Sequence, residues 1–327
     1  MTPAETQLTI VIPTWNRCDL ITTCLNSLRQ QTFRAFHVIV VDDASEDDTV
    51  NTLREAYPEV AVLARDKRGG FARATNTGLK RAETPWVMCL NNDITLAEDA
   101  LERLMRVALN DDASLLTPLM VWQDDPHIVY AAGDLIRENG RPESYGFRIP
   151  RVDFRPPDSI FGVTFGAAVM SREALDNVGL LDVTFGAYFE DADWCCRARL
   201  KGYTARCVHD AVVYHVGSAS IQKDLWWRSR QCWQNHALLV IKNFPARVIV
   251  TSLWPILRER VHQTARMWSA LRAARGSFWA LRVYIKAQAA LWKKVPGALR
   301  ARRAIQRARR LTPAQFNALL GGNSGDD

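Results

Sequence analysis

The stretch YFEDADWCCR, residues 188–197, sets three carboxylates, Glu190, Asp191 and Asp193, within four positions and flanks them with Tyr188, Phe189 and Trp194. Solvated acids rarely keep that much aromatic company, because aromatic side chains gain most from burial. One chemistry open to such a group is proton abstraction by a carboxylate held away from bulk water. The plainer account is a helix start, where unpaired backbone N–H groups favour negative charge. Five other places carry chemically capable residues. In LNND, residues 90–93, Asp93 can bind a hard divalent cation and Asn92 can offer its amide to a ribose hydroxyl. Mg²⁺ takes most of its ligands from phosphate and water, so one or two carboxylates beside a diphosphate suffice. Asp93 is equally a helix N-cap. In VVDDAS, residues 40–45, Asp43 can accept the N3–H of uracil or thymine; alternatively Asp42 and Ser45 cap the next helix. Trp15, in PTWNR, can stack on a pyrimidine ring or bury in a core. His215, in VVYHVGS, can ligate a metal or serve packing alone. Arg73 can meet a phosphate or stand exposed on a helix.

These residues need elements to hold them. LTIVIPTW is an apolar run broken by Pro13, which predicts a buried strand ending in a loop. DLITTCLNSLRQQ spaces Leu20, Cys24, Leu25 and Leu28 on one helical face. HVIVVDDAS predicts a second strand, EDDTVNTLREAY a helix with acids in its first turn, and VAVLAR a third strand. GGFARATNTGLKRAE predicts a Gly-led helix, WVMCLNND a fourth strand, AEDALERLMRVAL a helix and SLLTPLM a strand. That alternation predicts an α/β doubly wound fold with a mostly parallel sheet. Ligands bind such sheets beyond the carboxyl ends of the strands, which singles out PTWNR, DDASEDD and NNDIT. Residues 120–165 are rich in Gly and Pro and predict short strands with a lid-like loop. FGVTFGAAVMSREALDNVG predicts a strand and a helix ending at Gly179, ADWCCRARLKGY a helix closed by Gly202, and ARCVHDAVVYH the last strands.

The chain has 327 residues and 48% hydrophobic content, enough for one large core or two modest ones, and its composition excludes wholesale disorder. Its net charge of +7 is unevenly spread: residues 258–310 hold fifteen Lys and Arg against one acid, leaving the remainder at −7. Seven of the eleven Trp residues lie at or beyond Trp226. A basic, Trp-rich helical extension suits an anionic lipid surface, with nucleic acid as the alternative partner. Residues 237–257 are interrupted by Lys242, Pro245, Arg247 and Pro255, so they fall short of the roughly 20 apolar residues that span a bilayer. The seven Cys residues form no CxxC pair, which predicts reduced thiols in a cytoplasmic setting, with Cys195 and Cys196 in the core. The N-terminus shows no basic segment leading into an apolar one, and no secretory signal is expected.

Taken in order, VIPTWNR, VVDDASEDDT, GGFARATNTGLKRA, LNNDITL, GAAVMSREALDNVGLLD, FGAYFEDADWCCRARLKGY and VYHVGSAS resemble the family 2 inverting glycosyltransferases of GT-A fold, and within them the bacterial rhamnosyltransferase-like branch. The resemblance covers residues 8–220. It implies a Rossmann-like GT-A domain over 1–220, and the basic, Trp-rich composition beyond it is read as a helical, membrane-associating extension over 221–327. It implies transfer of a sugar, L-rhamnose from a dTDP donor or a sugar from a UDP donor, to a glycan or polyprenyl-linked acceptor in cell-surface polysaccharide synthesis. Pro13, Trp15, Asn16, Asp43, Arg73 and Asn92 match nucleotide-sugar-binding positions, and Asp93 with His215 a site for Mg²⁺ or Mn²⁺. Asp191 matches the general base, with Glu190 and Asp193 as acceptor contacts; Asp193 serves equally as a helix cap. The family's usual Asp-x-Asp is here Asn91-Asn92-Asp93, which keeps only the last carboxylate. A nucleotidyltransferase would need a Gly-rich loop after the first strand, and a dinucleotide-dependent dehydrogenase a GxGxxG; PTWNRCD supplies neither. A nucleic-acid-binding protein acting through the tail is the non-enzymatic alternative. The expected placement is cytoplasmic, on the inner face of the membrane.

Overall fold

The computed structural model describes residues 6–111, 113–157, 159–217 and 225–321. The elements begin as β1 (Leu8–Thr14), α1 (Cys18–Arg29), β2 (Phe36–Asp42), α2 (Thr49–Ala56), β3 (Ala61–Ala64), α3 (Phe71–Leu79), β4 (Trp86–Leu90), β5 (Ile94–Leu96), α4 (Ala100–Asn110) and β6 (Leu115–Trp122). Next come β7 (Val129–Ala131), β8 (Asp134–Ile136), β9 (Pro142–Ser144), β10 (Ala167–Ser171), α5 (Arg172–Val178), α6 (Glu190–Leu200) and β11 (Ala205–His215). The remainder is helical: α7 (Leu225–Asn243), α8 (Ala246–Thr251), α9 (Leu253–Arg275), α10 (Ser277–Ala308) and α11 (Pro313–Leu319).

Among the described residues one sheet runs in the order β3-β2-β1-β4-β10-β6-β11-β5, and off that path β7 pairs antiparallel with β6. β1 pairs in parallel with β2 and β4, β2 with β3, and β6 with β11. β10 runs antiparallel to both β4 and β6, so β1 to β4, β6 and β11 all point the same way. Their carboxyl ends therefore share one edge, and the loops singled out by sequence emerge there. β1 and β4 are buried along their whole length, which is why they read as unbroken apolar runs. The break expected at Pro13 does not occur: β1 continues through Pro13 to Thr14. The ladder with β4 ends at Val11 and Cys89, so Pro13 lies beyond it and disturbs no bond there. Helix α3 lies directly on β1 because Gly78 has no side chain; a Cβ there would stand 2.3 Å from Val11 Cγ1.

The chain forms two compact units. The first comprises Met1–Asp134, Ser144–Leu181 and Tyr203–Ala219 and holds the sheet with α1 to α5. The second comprises Leu135–Glu143, Asp182–Gly202 and Ser220–Asp327. The units interleave along the chain, and α6, with its three acids, belongs with the C-terminal helices. Nine of the eleven residues of α6 are buried, so it needs neighbours on most sides. Helix α7 packs against α6, α9 and α10. Gln234 of α7 donates to Ala287 O at 2.8 Å, and Arg302 of α10 reaches the end-of-helix carbonyls of Ile241 and Phe244 at 2.8 and 2.6 Å. Those bonds satisfy acceptors that a helix end otherwise leaves open. The apolar stretch 237–257 is divided among α7, α8 and α9, and no described helix is long and apolar enough to cross a membrane.

Candidate active site

In the first unit, the loops after β1 and β2 are laced together. Asn16, Arg17 and Ala44 take left-handed backbone conformations, with φ of 53°, 65° and 61°. Such turns persist in non-glycine residues only when neighbours hold them. Here Asn16 N–H donates to Ser45 Oγ at 2.7 Å, Glu46 N–H to Asn16 Oδ1 at 2.9 Å, and Ser45 N–H and hydroxyl both to the buried Asp42 carboxylate. Asp42 and Ser45 therefore fasten the loop and do not cap α2, whose N-cap is Asp48. Trp15 stands 36% exposed at the end of β1. The Arg68 guanidinium lies over its ring at 3.3 Å from the centroid, a cation–π contact. A pyrimidine stacking on that face takes the place of Arg68.

Asp43 is buried, and its carboxylate already accepts from Arg65 and from the backbone N–H groups of Gly69, at 2.9 and 3.0 Å, and Gly70, at 2.7 Å. It anchors the loop that leads into α3. Gly69 permits this, because a Cβ would come within 2.4 Å of the Arg65 guanidinium. A base N–H would have to share a carboxylate so engaged. Arg65 and Arg68 were missed from sequence; the available signal was the cluster RDKRGG immediately before α3. Pro13 is buried inside β1 and shapes the strand end. Arg73 is exposed in the first turn of α3.

Asp93 and His215 come together because β5 pairs antiparallel with β11, placing His215 opposite Ile94. His215 Nε2 lies 3.3 Å from Asp93 Oδ2, and both residues are buried. Asp93 Oδ1 and His215 Nδ1 have no hydrogen-bond partner. Buried polar atoms are seldom left so, which marks each of these two residues as a candidate to meet a bound group. Two adjacent donors on an octahedral ion at about 2.1 Å stand roughly 3 Å apart, so this separation fits two ligands of one Mg²⁺ or Mn²⁺. Among the described residues no group of three His, Cys, Asp or Glu is poised for a metal, so the ion would draw its other ligands from phosphate and water. Tyr130 packs edge-on against the His215 ring at 4.3 Å, and Trp122 against Tyr130 at 4.8 Å, an aromatic backing that fixes the imidazole. Asn92 is tied through Nδ2 to Thr14 Oγ1 at 2.9 Å, which joins the ends of β1 and β4.

The three acids of α6 lie in the second unit and play different parts. No side chain caps this helix, and its N-cap residue is Phe189 with φ 72°. Asp193 is fully buried between Lys242, Asn243 and Arg197, at 2.8 to 2.9 Å. Its oxygens are engaged by these three side chains inside the unit. Asp191 is partly open and accepts from Ala192 N–H at 2.7 Å. Glu190 is buried with Oε2 unpartnered. Burial raises the pKa of Asp191, and burial together with the charge of Asp191 pushes Glu190 up to about 8. Burial and the charge of Asp191 thus favour the protonated form of Glu190.

That assignment has a stability consequence. The folded protein holds a proton on Glu190 that the unfolded chain gives up near the model-peptide value of 4.5, so stability falls as pH rises from about 4.5 to about 8. Glu190→Gln is expected to remove that fall and to raise Tm at pH 8 by roughly 2–4 °C relative to wild type, with little gain at pH 5. Melting curves across this range decide it; wild-type and variant curves that stay parallel would refute the assignment.

The sequence model described as Glycosyl transferase family 2 matches residues 9–179. Among curated relatives, the pre-mycofactocin glycosyltransferase of Mycobacterium tuberculosis is 28% identical over 218 residues, covering 65% of this chain and 43% of that protein. Against three other curated relatives the chain spans only 16% to 34% of their length. Among solved structures, the mannosyltransferase PcManGT from Pyrobaculum calidifontis, in complex with GDP-Man and Mn²⁺, aligns with a TM-score of 0.53 at 21% identity, covering 96% of this chain and 87% of that one. TarS 1–349 of S. aureus, in complex with UDP, aligns with a TM-score of 0.55 at 16% identity, covering 96% and 90%. At these identities the likeness is one of fold, the mixed, mostly parallel sheet together with the C-terminal helical region.

Proposed function

The chain belongs to glycosyl transferase family 2 and has a GT-A fold, and from that premise we propose that it is an inverting, metal-dependent hexosyltransferase acting on a nucleotide-sugar donor. The observation that carries this reading is the buried pair Asp93 and His215, with an unpartnered atom on each, at the carboxyl edge where Trp15 and the Arg65-to-Gly70 loop also emerge. Asp93 and His215 would hold Mg²⁺ or Mn²⁺, which neutralises charge on a departing diphosphate. Trp15 would stack on the base, and Arg68 would leave the indole face or fold over the nucleotide. Asn92, held by Thr14, keeps its amide oxygen for a ribose hydroxyl. Asp191 would take the proton of the acceptor hydroxyl as its oxygen bonds to the anomeric carbon. The bond from that carbon to the diphosphate breaks in the same displacement, and the nucleoside diphosphate leaves. Configuration inverts because attack and departure are on opposite faces; no covalent nucleophile is needed.

The donor placed first is dTDP-L-rhamnose, on the order of motifs shared with the rhamnosyltransferase branch, and UDP-sugars are the alternative. The acceptor would be a glycan or polyprenyl-linked sugar of a cell-surface polysaccharide. Purified protein is to be screened with dTDP-, UDP- and GDP-sugars for nucleotide release, with Mn²⁺ and with chelator. Release from one donor that stops on chelation is expected. Release unchanged by chelator would overturn the metal role, and no release from any donor would overturn the function.

The second unit carries a face suited to a membrane surface. Trp254, Leu257 and Val261 of α9, and Phe278, Leu281, Ile285 and Trp292 of α10, are exposed at spacings of three, four and seven. An open apolar groove of about 740 Å³ between α9 and α10 is lined by Leu257, Val261, Trp268 and Leu281. Apolar stripes among many Arg and Lys favour the interface of an anionic bilayer. Vesicles containing phosphatidylglycerol should sediment the protein and pure phosphatidylcholine vesicles should not. Equal recovery with both would remove the membrane role.

A further inference from the structure

One face of α7 runs alongside the segment that carries the candidate base. Trp227 packs at a tilt against Tyr188, with ring centroids 6.2 Å apart, and Arg228 lies over the Tyr188 ring at 5.4 Å. Two turns on, Asn235 Nδ2 donates to three carbonyl oxygens, those of Phe185, Ala187 and Tyr188, at 2.9, 2.9 and 2.8 Å. Two turns further, Lys242 and Asn243 hold Asp193. Spacings of seven or eight residues repeat every two turns of a helix, so these side chains share one face. They contact residues 185–193 in succession.

The backbone gripped by Asn235 is of an unusual kind. Gly186, Tyr188 and Phe189 all have positive φ, at 75°, 64° and 72°. For Tyr and Phe the left-handed region is disfavoured, and a local polar side chain offers no help. Two such residues in succession persist only if the surroundings hold them. Asn235 is fully buried and supplies the donors the turned-in carbonyls require. The very next residues are Glu190 and Asp191. The direction in which Asp191 leaves the backbone is therefore set by a turn that α7 maintains.

We propose that Asn235 is a positioning residue for Asp191, and that α7 is thereby a working part of the catalytic apparatus. This rests on the reading of Asp191 as the general base. The carboxylate must meet the acceptor hydroxyl within hydrogen-bond reach, and a displacement of about 1 Å costs on the order of a hundredfold in rate. The sequence resemblance ends near residue 220, and no comparison assigns a catalytic part to this helix.

The test is Asn235→Ala in the full chain, with three readouts. Backbone amide exchange over residues 184–192 should rise at least tenfold while exchange in β1 and β4 stays as in wild type. Turnover should fall about a hundredfold, while the KM for the donor and the Kd for UDP or dTDP with Mn²⁺ stay within twofold. The acid limb of the pH–rate profile should also move, because Asp191 would no longer keep its surroundings. Should Asn235→Ala fail to fold, Asn235→Ser, with one shorter donor, is measured in its place and a smaller loss of the same kind is expected. Unchanged exchange at 184–192 would overturn the grip itself. Raised exchange with near-normal turnover would overturn the catalytic consequence. Turnover lost together with nucleotide binding would assign Asn235 to general structure and overturn the positioning role. A wild-type chain that releases nucleotide from no donor refutes the transferase reading and this catalytic role with it, whereas the exchange readout still decides the grip.

Discussion

Asp191→Asn is expected to lower turnover by about 10²- to 10⁴-fold while leaving nucleotide binding intact. The substitution keeps the shape of the side chain and its place in the first turn of α6 but removes the ability to accept a proton. The first unit, with Trp15, Asp93 and His215, carries the proposed donor contacts and is untouched. Calorimetry with UDP or dTDP and Mn²⁺ should therefore give the same affinity for variant and wild type. The wild-type pH–rate profile adds an independent check. Burial raises the pKa of Asp191, so the acid limb should lie above the ordinary carboxylate range and activity should grow as pH rises through it. Retention of more than a third of wild-type turnover in Asp191→Asn would remove Asp191 from the mechanism.

Lys242→Met is expected to cost about 3–5 kcal/mol of stability, the loss seen when one member of a buried ion pair is removed. Lys242 Nζ lies 2.6 Å from Asp182 Oδ2 and 2.8 Å from Asp193 Oδ1, and Asp193 is fully buried. Without the ammonium, Asp193 retains only Arg197 and Asn243 to offset its charge. The double variant Lys242→Met with Asp193→Asn should recover much of the loss, because the uncompensated charge is gone. Asp182 supplies the pH signature. Burial alone would raise its pKa, but the charge and hydrogen bond of Lys242, together with hydrogen bonds from the Thr184 N–H and hydroxyl, outweigh burial and hold the carboxyl below its usual value. Its contribution to wild-type stability is thus present at neutral pH and fades as pH falls through the lowered pKa; in Lys242→Met that acid-side loss should shrink. Denaturation curves at pH 7 and pH 3 would test both points. A Lys242→Met protein as stable as wild type would show that the network carries no stability. The same network predicts that cutting the chain near residue 222 yields no soluble enzyme, since α6 loses its partners with α7.

How far these features could be read from sequence depends on how local they are. β1, β2 and β4 were legible because strands buried on both faces give near-continuous apolar runs. Gly179 and Gly202 marked the ends of α5 and α6 because left-handed helix ends favour glycine. Asp93 and His215 were legible as candidates, yet 122 positions separate them, and only the β5–β11 pairing joins them. Asp193 was legible only as a cap or an acceptor contact, because apart from Arg197 its partners stand 49 and 50 residues later. Helix α7 was read as part of a basic aromatic surface. Its Gln231, Gln234, Asn235, His236, Lys242 and Asn243 are in fact all buried. Periodicity arguments treat polar residues as the solvent side, so a polar face turned inward gives no apolar signal.

The interleaving of the two units has a consequence for how the protein is made. Residues 135–143 and 182–202 belong to the second unit but leave the ribosome amid segments of the first. Asp193 emerges 49 residues before Lys242, and Ile136, whose carbonyl accepts from Gly321 N–H, emerges 185 residues before its donor. At about 5–20 residues per second, Asp193 waits some 2–10 s for its counter-ion, and the 135–143 hairpin for most of the rest of synthesis. The sheet can form while α6 is still without its partners. The acid-bearing segment is therefore completed last, and a nascent chain that stops short of the final helices holds the sheet without the partners that α6 needs.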